Sequence, residues 1–524
     1  MKRREFIKAV GAAPLLMGMQ SARQEFDYVI VGAGSAGCVL ANRLSADAQV
    51  RVLLLEAGAP ANDDPAITVP GKWVGLIGSK YDWGYSTEPE AGLQNRRITF
   101  PRGKVMGGSS AINAMTFIRG HQFCYDRWER AGNLGWGYEA LLPYFKRIER
   151  HEMGESHYRG GDGPLAVSLC TDPHAGHRAF LAAVAQQQYR ADARYDFNLP
   201  APVNIAGFYQ KNILDGKRHS TADAFLTPVR SRQNLEVRSL SQATKLVIEG
   251  RRVTGVDYVR DGKPARVRAA REVILCGGVI DTPKLLMLSG IGPADHLKGF
   301  GIPVVADVDG VGKNFQDHLK LSIRWNGKTE LPGSTVTAGM FVRSDPSNYA
   351  DPPDLQFYVG RGIETPDRFI TITVSLVFPK SRGSVTLRSA DPTAAPIIRA
   401  NYLREQADVS ALVRGVILAR WFGEAESYTD LKGDEILPGP AIKSDADIAT
   451  FVRRDSHTIY HGAGTCKMGP DADKTAVVDP SLRVRGVDGL RVADGSIMPE
   501  VVNATTHAAC VMIGEKASDL VRQG

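Results

Sequence analysis

The stretch FDYVIVGAGSAGCVLANRLS constrains the fold more than any other. Tyr28 to Val31 is an apolar run of the kind buried between layers. Gly32, Gly34 and Gly37 follow in the pattern G-x-G-x-x-G, and from Cys38 to Leu44 the apolar residues take helical spacing. That order predicts a strand, a tight turn and a helix. Gly32 permits the turn, Gly34 lets the backbone approach a pyrophosphate, and Gly37 lets the helix lie close on the strand. The helix N-terminus adds N–H donors and partial positive charge. VRVLLLEAG then predicts a second, parallel-type strand ending in Glu56, 24 residues beyond Gly32. An acidic residue at that distance suits ribose hydroxyls and repels a 2′-phosphate. The expectation is a dinucleotide site, with FAD and NAD both open, because one turn serves either.

Composition narrows the class of partner. With 43% hydrophobic and 23% charged residues, the 524-residue chain is neither disordered nor fibrous and is large enough for two packed domains. Of the net charge of +7, residues 1–23 carry +4, which leaves about +3 for the body. That is too mild to point to nucleic acid. Cys38, Cys124, Cys170, Cys276, Cys466 and Cys510 form no C-x-x-C pair, against a zinc site or a disulfide scaffold, and are expected to be mostly buried free thiols. No metal site is expected.

The chain opens with MKRREFIKAVGAAPLLMGMQSA, a basic start followed by an apolar stretch from Ala9 to Met19, too short to span a bilayer. Arg3 and Arg4 before Phe6, Ile7 and Lys8 resemble a twin-arginine export signal, a route that carries folded, cofactor-loaded proteins. A periplasmic or otherwise exported enzyme is therefore expected, or a cytoplasmic one if the leader is no signal. No later stretch has the length of a membrane helix.

Further segments repeat the close-approach chemistry of the opening one. PRGKVMGGSSAINAMTFIRG places a glycine-serine loop before small residues, which allows a flat ligand near the backbone. REVILCGGVIDTPKLLMLSGIG is a buried strand that breaks at Gly277 and Gly278 into a helix, and LRVADGSIMP is a strand delivering Asp494 to a turn. Together with VGKNFQDH, YHGAGTCKMG and VDPSLRVRGVDGLRVADGSIMP, these stretches resemble the glucose-methanol-choline (GMC) flavoprotein oxidoreductases, from about Asp27 to Gly524.

The resemblance implies an α/β fold: an FAD-binding Rossmann-like domain of the glutathione-reductase type, and an α+β substrate domain with an antiparallel sheet. The FAD domain would be discontinuous, from residues 26–160, 215–318 and 455–524, and the substrate domain would take 161–214 and 319–454, after an export signal over 1–25. The β-rich runs FITITVSLVF, SVTLRS and PIIRA agree with such a sheet. Carried onto matching positions, the resemblance implies FAD contacts at Gly32, Gly34, Ser35, Ala36, Gly37, Glu56, Ala57, Arg102, Val105, Gly107, Gly108, Asn113, Ala114, Met115, Thr116, Thr244, Gly277, Asp494 and Gly495.

His461 has no metal-ligand spacing around it, and GAGTCK fails the P-loop pattern. The resemblance places it facing the flavin beside the hydroxyl carbon of a substrate. Imidazole suits that place, because an alcohol gives up hydride readily only when a base takes its hydroxyl proton. His507 follows Thr505 and Thr506, either of which can cap a helix continuing through Val511, Met512, Ile513 and Leu520. The resemblance aims that helix end at the flavin N1 and C2 carbonyl, with the dipole stabilising charge gathered on reduction. His219, His318 and His457 are read as surface or packing residues.

The resemblance also implies limits. Choline-oxidising members usually carry asparagine where this chain has His507, which speaks against choline. Members with covalently bound FAD carry histidine where this chain has Ile112, so the flavin is expected to be non-covalent. Asp281 and Gly495 depart from frequent asparagine and alanine without an evident meaning. The function implied is FAD-dependent oxidation of a primary or activated secondary alcohol, His461 as base and His507 as hydrogen-bonding partner, with oxygen, a quinone or a cytochrome as acceptor. A flavin-containing hydroxynitrile lyase on the same scaffold is the alternative.

Overall fold

The computed structural model describes residues 25–61, 63–170, 172–329, 331, 337–359 and 369–524, so the leader read as an export signal lies outside the described residues. Two large sheets, each with its own apolar core, organise the chain. The first grows from the opening motif. The strand Glu25–Val31 runs parallel to Val52–Leu55 on one side and to the later half of Lys263–Leu275 on the other. Leu235–Arg238 and Leu490–Val492 extend it in parallel, and Arg252–Arg260 with Ser241–Glu249 close it as an antiparallel meander. Val29–Val31 and Val52–Leu55 are buried throughout, with the first helix of the chain packed on both strands.

The expected strand, turn and helix are present, the helix being Ser35–Leu44. A Cβ on Gly37 would lie 1.9 Å from the Gly32 carbonyl oxygen, so any side chain there would push helix from strand. The C-terminal helix Thr506–Gln523 packs on this first helix just as closely, with a Cβ on Gly514 falling 2.7 Å from Ala36 O. The last segment of the chain is thereby laid beside the first, which brings His507 to the opening turn.

The second sheet has the strand order 432–437, 319–327, 369–376, 355–359, 338–342, 205–208, 190–191, with His457–Thr458 also pairing with Leu319–Gly327. It is antiparallel except where 190–191 meets 205–208. Along LKLSIRWNG, Leu319, Leu321, Ile323 and Trp325 are buried, and Lys320, Ser322 and Arg324 take the opposite face, the period-two pattern of a strand. The apolar face meets the helix Gln406–Gly423, where Gly415 and Gly423 leave room for Val374 and the Trp325 ring. Of the three β-rich runs read from the sequence, only Phe369–Leu376 enters this sheet. Ser384–Thr386 and Ile397–Arg399 pair with each other as a separate ribbon.

Candidate active site

One cavity of about 880 Å³ lies between the parallel sheet's turns and the polar face of the antiparallel sheet. At its dinucleotide end the loop Gly107–Ala111 folds onto the first turn. Gly107 N–H donates to Ala33 O at 2.8 Å, and a Cβ on Gly108 would sit 2.7 Å from Gly34 Cα. A Cβ on Gly34 itself would meet nothing nearer than Cys276 O at 4.0 Å, so its backbone stays open to the cavity. Glu56, 6% exposed, accepts from Ala33 N–H at 2.8 Å and Gly58 N–H at 2.7 Å. Burial nevertheless pushes its carboxyl up to about 7. Open backbone, an acceptor at the end of the second strand and a cavity of this size fit FAD.

At the other end two histidines border the same space. His461 follows the strand His457–Thr458, and its loop is clamped by a buried carboxylate. Asp317 Oδ1 accepts the His461 backbone N–H at 2.7 Å, and its Oδ2 accepts the hydroxyls of Tyr402 at 2.5 Å and of Thr458. Arg102 donates to the Tyr460 carbonyl, and its guanidinium lies over the Phe100 ring at 4.7 Å. Burial first, then the neighbouring His318 and Arg102, holds the His461 imidazole well below its ordinary pKa. It is neutral at neutral pH and able to accept a proton.

His318 corrects the sequence reading. It is fully buried, and its Nδ1 lies 3.0 Å from His461 Nδ1 with the rings near perpendicular. One of the two nitrogens must carry the hydrogen. His318 is kept neutral by burial, at a pKa of about 3, with the backbone of Val377 and Val502 the only influences raising it. In the tautomer with the hydrogen on His461 Nδ1, His318 accepts it at its own Nδ1, while His318 Nε2 has no hydrogen-bond partner among the described residues. His461 Nε2 is then the bare nitrogen, available to a hydroxyl.

His507, buried at the start of the C-terminal helix, has its Nδ1 3.1 Å from the Ser35 hydroxyl, which leaves Nε2 for a ligand. Burial and then Arg218 lower its pKa to about 4. The stretch VGKNFQDH holds the two histidine segments together. Gln316 exchanges backbone hydrogen bonds with Ala463, donates from Nε2 to Pro499 O at 3.0 Å and accepts Val501 N–H at 3.1 Å. Asn314 Nδ2 bridges the carbonyls of Gly464 and Pro499. In the sequence this stretch carries only a family likeness. The acid-histidine pair at its end was the signal for Asp317 and His318.

Of the positions read from the sequence, Gly32, Gly34, Ser35, Ala36, Glu56, Ala57, Arg102, Gly108, Asn113, Ala114, Met115, Thr116, Gly277, Asp494 and Gly495 line this cavity with the two histidines. Gly37, Val105 and Gly107 stand behind the lining. Val105 is buried with Ile67, Leu76, Tyr81 and Ile112 beneath the loop. Asp494 is engaged within the protein, accepting from Gly278 N–H, the Thr282 hydroxyl and Ser496 N–H, so it ties the helix Gly278–Leu288 to the turn after Leu490–Val492. Thr244 is a correction. The pairing of its strand slips between Ala243 and Lys245, its hydroxyl donates to Asp257 O, and it faces a separate cleft while Ala243 faces the cavity. Thr505 is a second one: it occupies the N-cap position, but its hydroxyl donates to the Thr116 and Ile118 carbonyls and caps nothing. Asp281 accepts the Tyr85 hydroxyl at 2.7 Å, and a Cβ at Gly495 would press on Cys510 Sγ at 3.1 Å. The cysteines are free among the described residues, with Cys38, Cys124, Cys276 and Cys466 buried and Cys170 and Cys510 partly so.

Comparison with known proteins identifies the family. GMC oxidoreductase domains match residues 26–320 and 379–514. The mitochondrial choline dehydrogenase of Homo sapiens is 40% identical, covering 98% of this chain and 93% of its own. An alcohol dehydrogenase [acceptor] of Pseudomonas putida is 39% identical, covering 95% of each. Among solved structures, pyridoxine 4-oxidase from Mesorbium loti superposes with a TM-score of 0.90 at 34% identity, over 95% of this chain and 99% of that one.

Proposed function

The chain belongs to the GMC oxidoreductase family and is an FAD-dependent oxidoreductase of CH–OH groups, and from that premise we propose that it oxidises a primary or activated secondary alcohol to the carbonyl with His461 as base. The observation that carries the reading is the pair of neutral imidazoles, each bound at Nδ1 within the protein and each bordering the cavity. His461 takes the hydroxyl proton at Nε2. His507 holds the alcohol oxygen in line through its own Nε2. Bound FAD would supply the hydride acceptor at the flavin N5. Arg102, partly buried and held by carbonyls, keeps the His461 loop in place and adds positive charge where an alkoxide develops.

A panel of alcohols tests this directly. Holoenzyme mixed without oxygen with aliphatic, aromatic, sugar and polyol alcohols loses flavin absorbance with at least one of them. Stoichiometric flavin that none of them bleaches overturns the reading, and a cyanohydrin cleaved while the flavin stays oxidised replaces it with the lyase. The physiological acceptor proposed is a quinone or cytochrome, with oxygen slower, supported by the twin-arginine-like leader that would carry the enzyme to the periplasm. Faster reoxidation by oxygen than by either contradicts it.

The flavin is held without a covalent bond. Ile112 lines the cavity where linking members carry histidine, and a hydrocarbon side chain forms no such bond. Acid precipitation releases all the flavin into the supernatant. Yellow colour remaining with the protein would show a link. Choline is the second reading, because several relatives are choline dehydrogenases. Lys211 and Lys320 in the cavity lining speak against a cationic substrate.

A further inference from the structure

Lys211 is a charged side chain of the cavity that alcohol oxidation leaves unexplained. It is 5% exposed, and its Nζ donates to Ala114 O at 3.2 Å, Thr116 Oγ1 at 3.0 Å and Thr337 Oγ1 at 3.0 Å. All three acceptors are neutral, and no ion pair among the described residues includes it. Burial lowers its pKa to about 8, with Cys170 opposing and Arg218 adding to the shift. At neutral pH it is still mostly protonated, a buried ammonium without a counter-ion, which is a costly arrangement unless an anion completes it.

The cavity's acids are elsewhere. Among the described residues the carboxylates lining it are Glu56, Asp281 and Asp494, all on dinucleotide-domain elements and all bonded within the protein. The side facing them contributes Tyr209, Lys211, Lys320, Thr337, Gln356 and Tyr358, with no acid. This side is built to present polar groups, since Lys320 and Gln356 share a cross-strand row through Ser375. Ser375 is fully buried, and its hydroxyl has no hydrogen-bond partner among the described residues.

The threonines make Lys211 more than a stray charge. Thr116 and Thr337 accept the ammonium's hydrogens with oxygen lone pairs, so their own O–H bonds point away from Nζ, and both residues line the cavity. An anion arriving there meets two hydroxyl donors polarised by the ammonium behind them. The site is also near the proposed reaction centre, because the Thr116 carbonyl accepts the Thr505 hydroxyl two residues before His507.

We propose that Lys211, Thr116 and Thr337 form an anion subsite, and that the alcohol this enzyme oxidises carries a compact oxyanion such as a carboxylate. The inference rests on the proposed alcohol oxidation and names its substrate class. A quaternary ammonium alcohol would meet like charge in the same place.

The test is a para-substituted series of equal shape: 4-(hydroxymethyl)benzoate, benzyl alcohol and 4-(trimethylammonio)benzyl alcohol, each reducing the holoenzyme anaerobically. The anion is expected to exceed the neutral alcohol in kcat/KM by at least about tenfold, and the cation to fall below both, in the range of one charge-assisted contact. Lys211→Met should bring the anion-to-neutral ratio to about one, and Lys211→Arg should keep it. A cation that matches or beats the anion in the wild type overturns the subsite, whether or not any variant folds. So does a ratio unchanged in Lys211→Met. A binding titration separates this from the parent reading: benzoate should perturb the oxidised flavin spectrum at least about tenfold more tightly than benzamide, and only with Lys211 or Arg present. If benzoate binds so and no alcohol bleaches the flavin, the subsite stands and alcohol oxidation falls. If alcohols bleach it but benzoate and benzamide bind alike, the subsite falls alone.

Discussion

Replacing His461 by alanine is expected to lower the rate of flavin reduction by alcohol at least about 10²-fold, the lower end for loss of a general base. FAD content should stay near that of the wild type. The imidazole contacts His318, and the Asp317 clamp that sets its loop grips the backbone, which alanine retains. Asparagine at 461 should be about as damaging, because an amide cannot take up a proton near neutral pH. At 507 the two changes should part. His507→Asn keeps a group that can hold the alcohol oxygen and should retain far more activity than His507→Ala. The pH profile bears on the same point. A base whose pKa is lowered well below the ordinary value is already unprotonated above that lowered pKa. With a neutral alcohol, which does not draw on the Lys211 ammonium, the reduction rate of the wild type should therefore stay level from about pH 6 to 9, with no rise centred on the ordinary histidine value of about 6.5. If His507→Asn is as inactive as His507→Ala while a 461 variant survives, the two roles are reversed.

The second large effect is on cofactor retention. In Glu56→Arg the buried carboxylate that accepts Ala33 and Gly58 N–H disappears, along with the proposed ribose acceptor. Losing the charged acceptor of the ribose hydroxyls costs binding about 2 kcal/mol, so FAD should bind at least about 30-fold more weakly. Glu56→Gln keeps one carbonyl acceptor and should lose less. Equilibrium dialysis of the two purified variants against FAD checks this, and a Glu56→Arg protein that binds as tightly as the wild type removes Glu56 from the ribose site.

Much of this protein was legible from short stretches, for a reason visible in the opening motif. Gly32 takes the left-handed φ of the turn and Gly37 lies against Gly32 O five residues back, so their spacing alone implies the turn and the close helix. The alternation along Leu319–Gly327 likewise declares a strand with one buried face. What stayed hidden depends on distant partners. His318 meets His461 across 143 positions, Lys211 meets Thr337 across 126, and neither pair has a spacing that sequence could show. Thr244 was misplaced by a one-residue slip in strand pairing, which turns a side chain to the other face without changing its neighbours in sequence. Thr505 has the residue type of a helix cap, but two carbonyls from the segment after the glycine-serine loop take its hydroxyl first.

The central claim is that one site removes a proton at His461 and a hydride from the adjoining carbon. It is tested most directly by one anaerobic turnover of the holoenzyme with its best alcohol, bearing hydrogen or deuterium on the carbinol carbon. The account predicts one carbonyl product per flavin bleached, a reduction rate slowed severalfold by deuterium, and loss of that rate in His461→Ala with the flavin still bound. Bleaching at equal rates in the His461→Ala and wild-type enzymes, or product formed while the flavin stays oxidised, would contradict it.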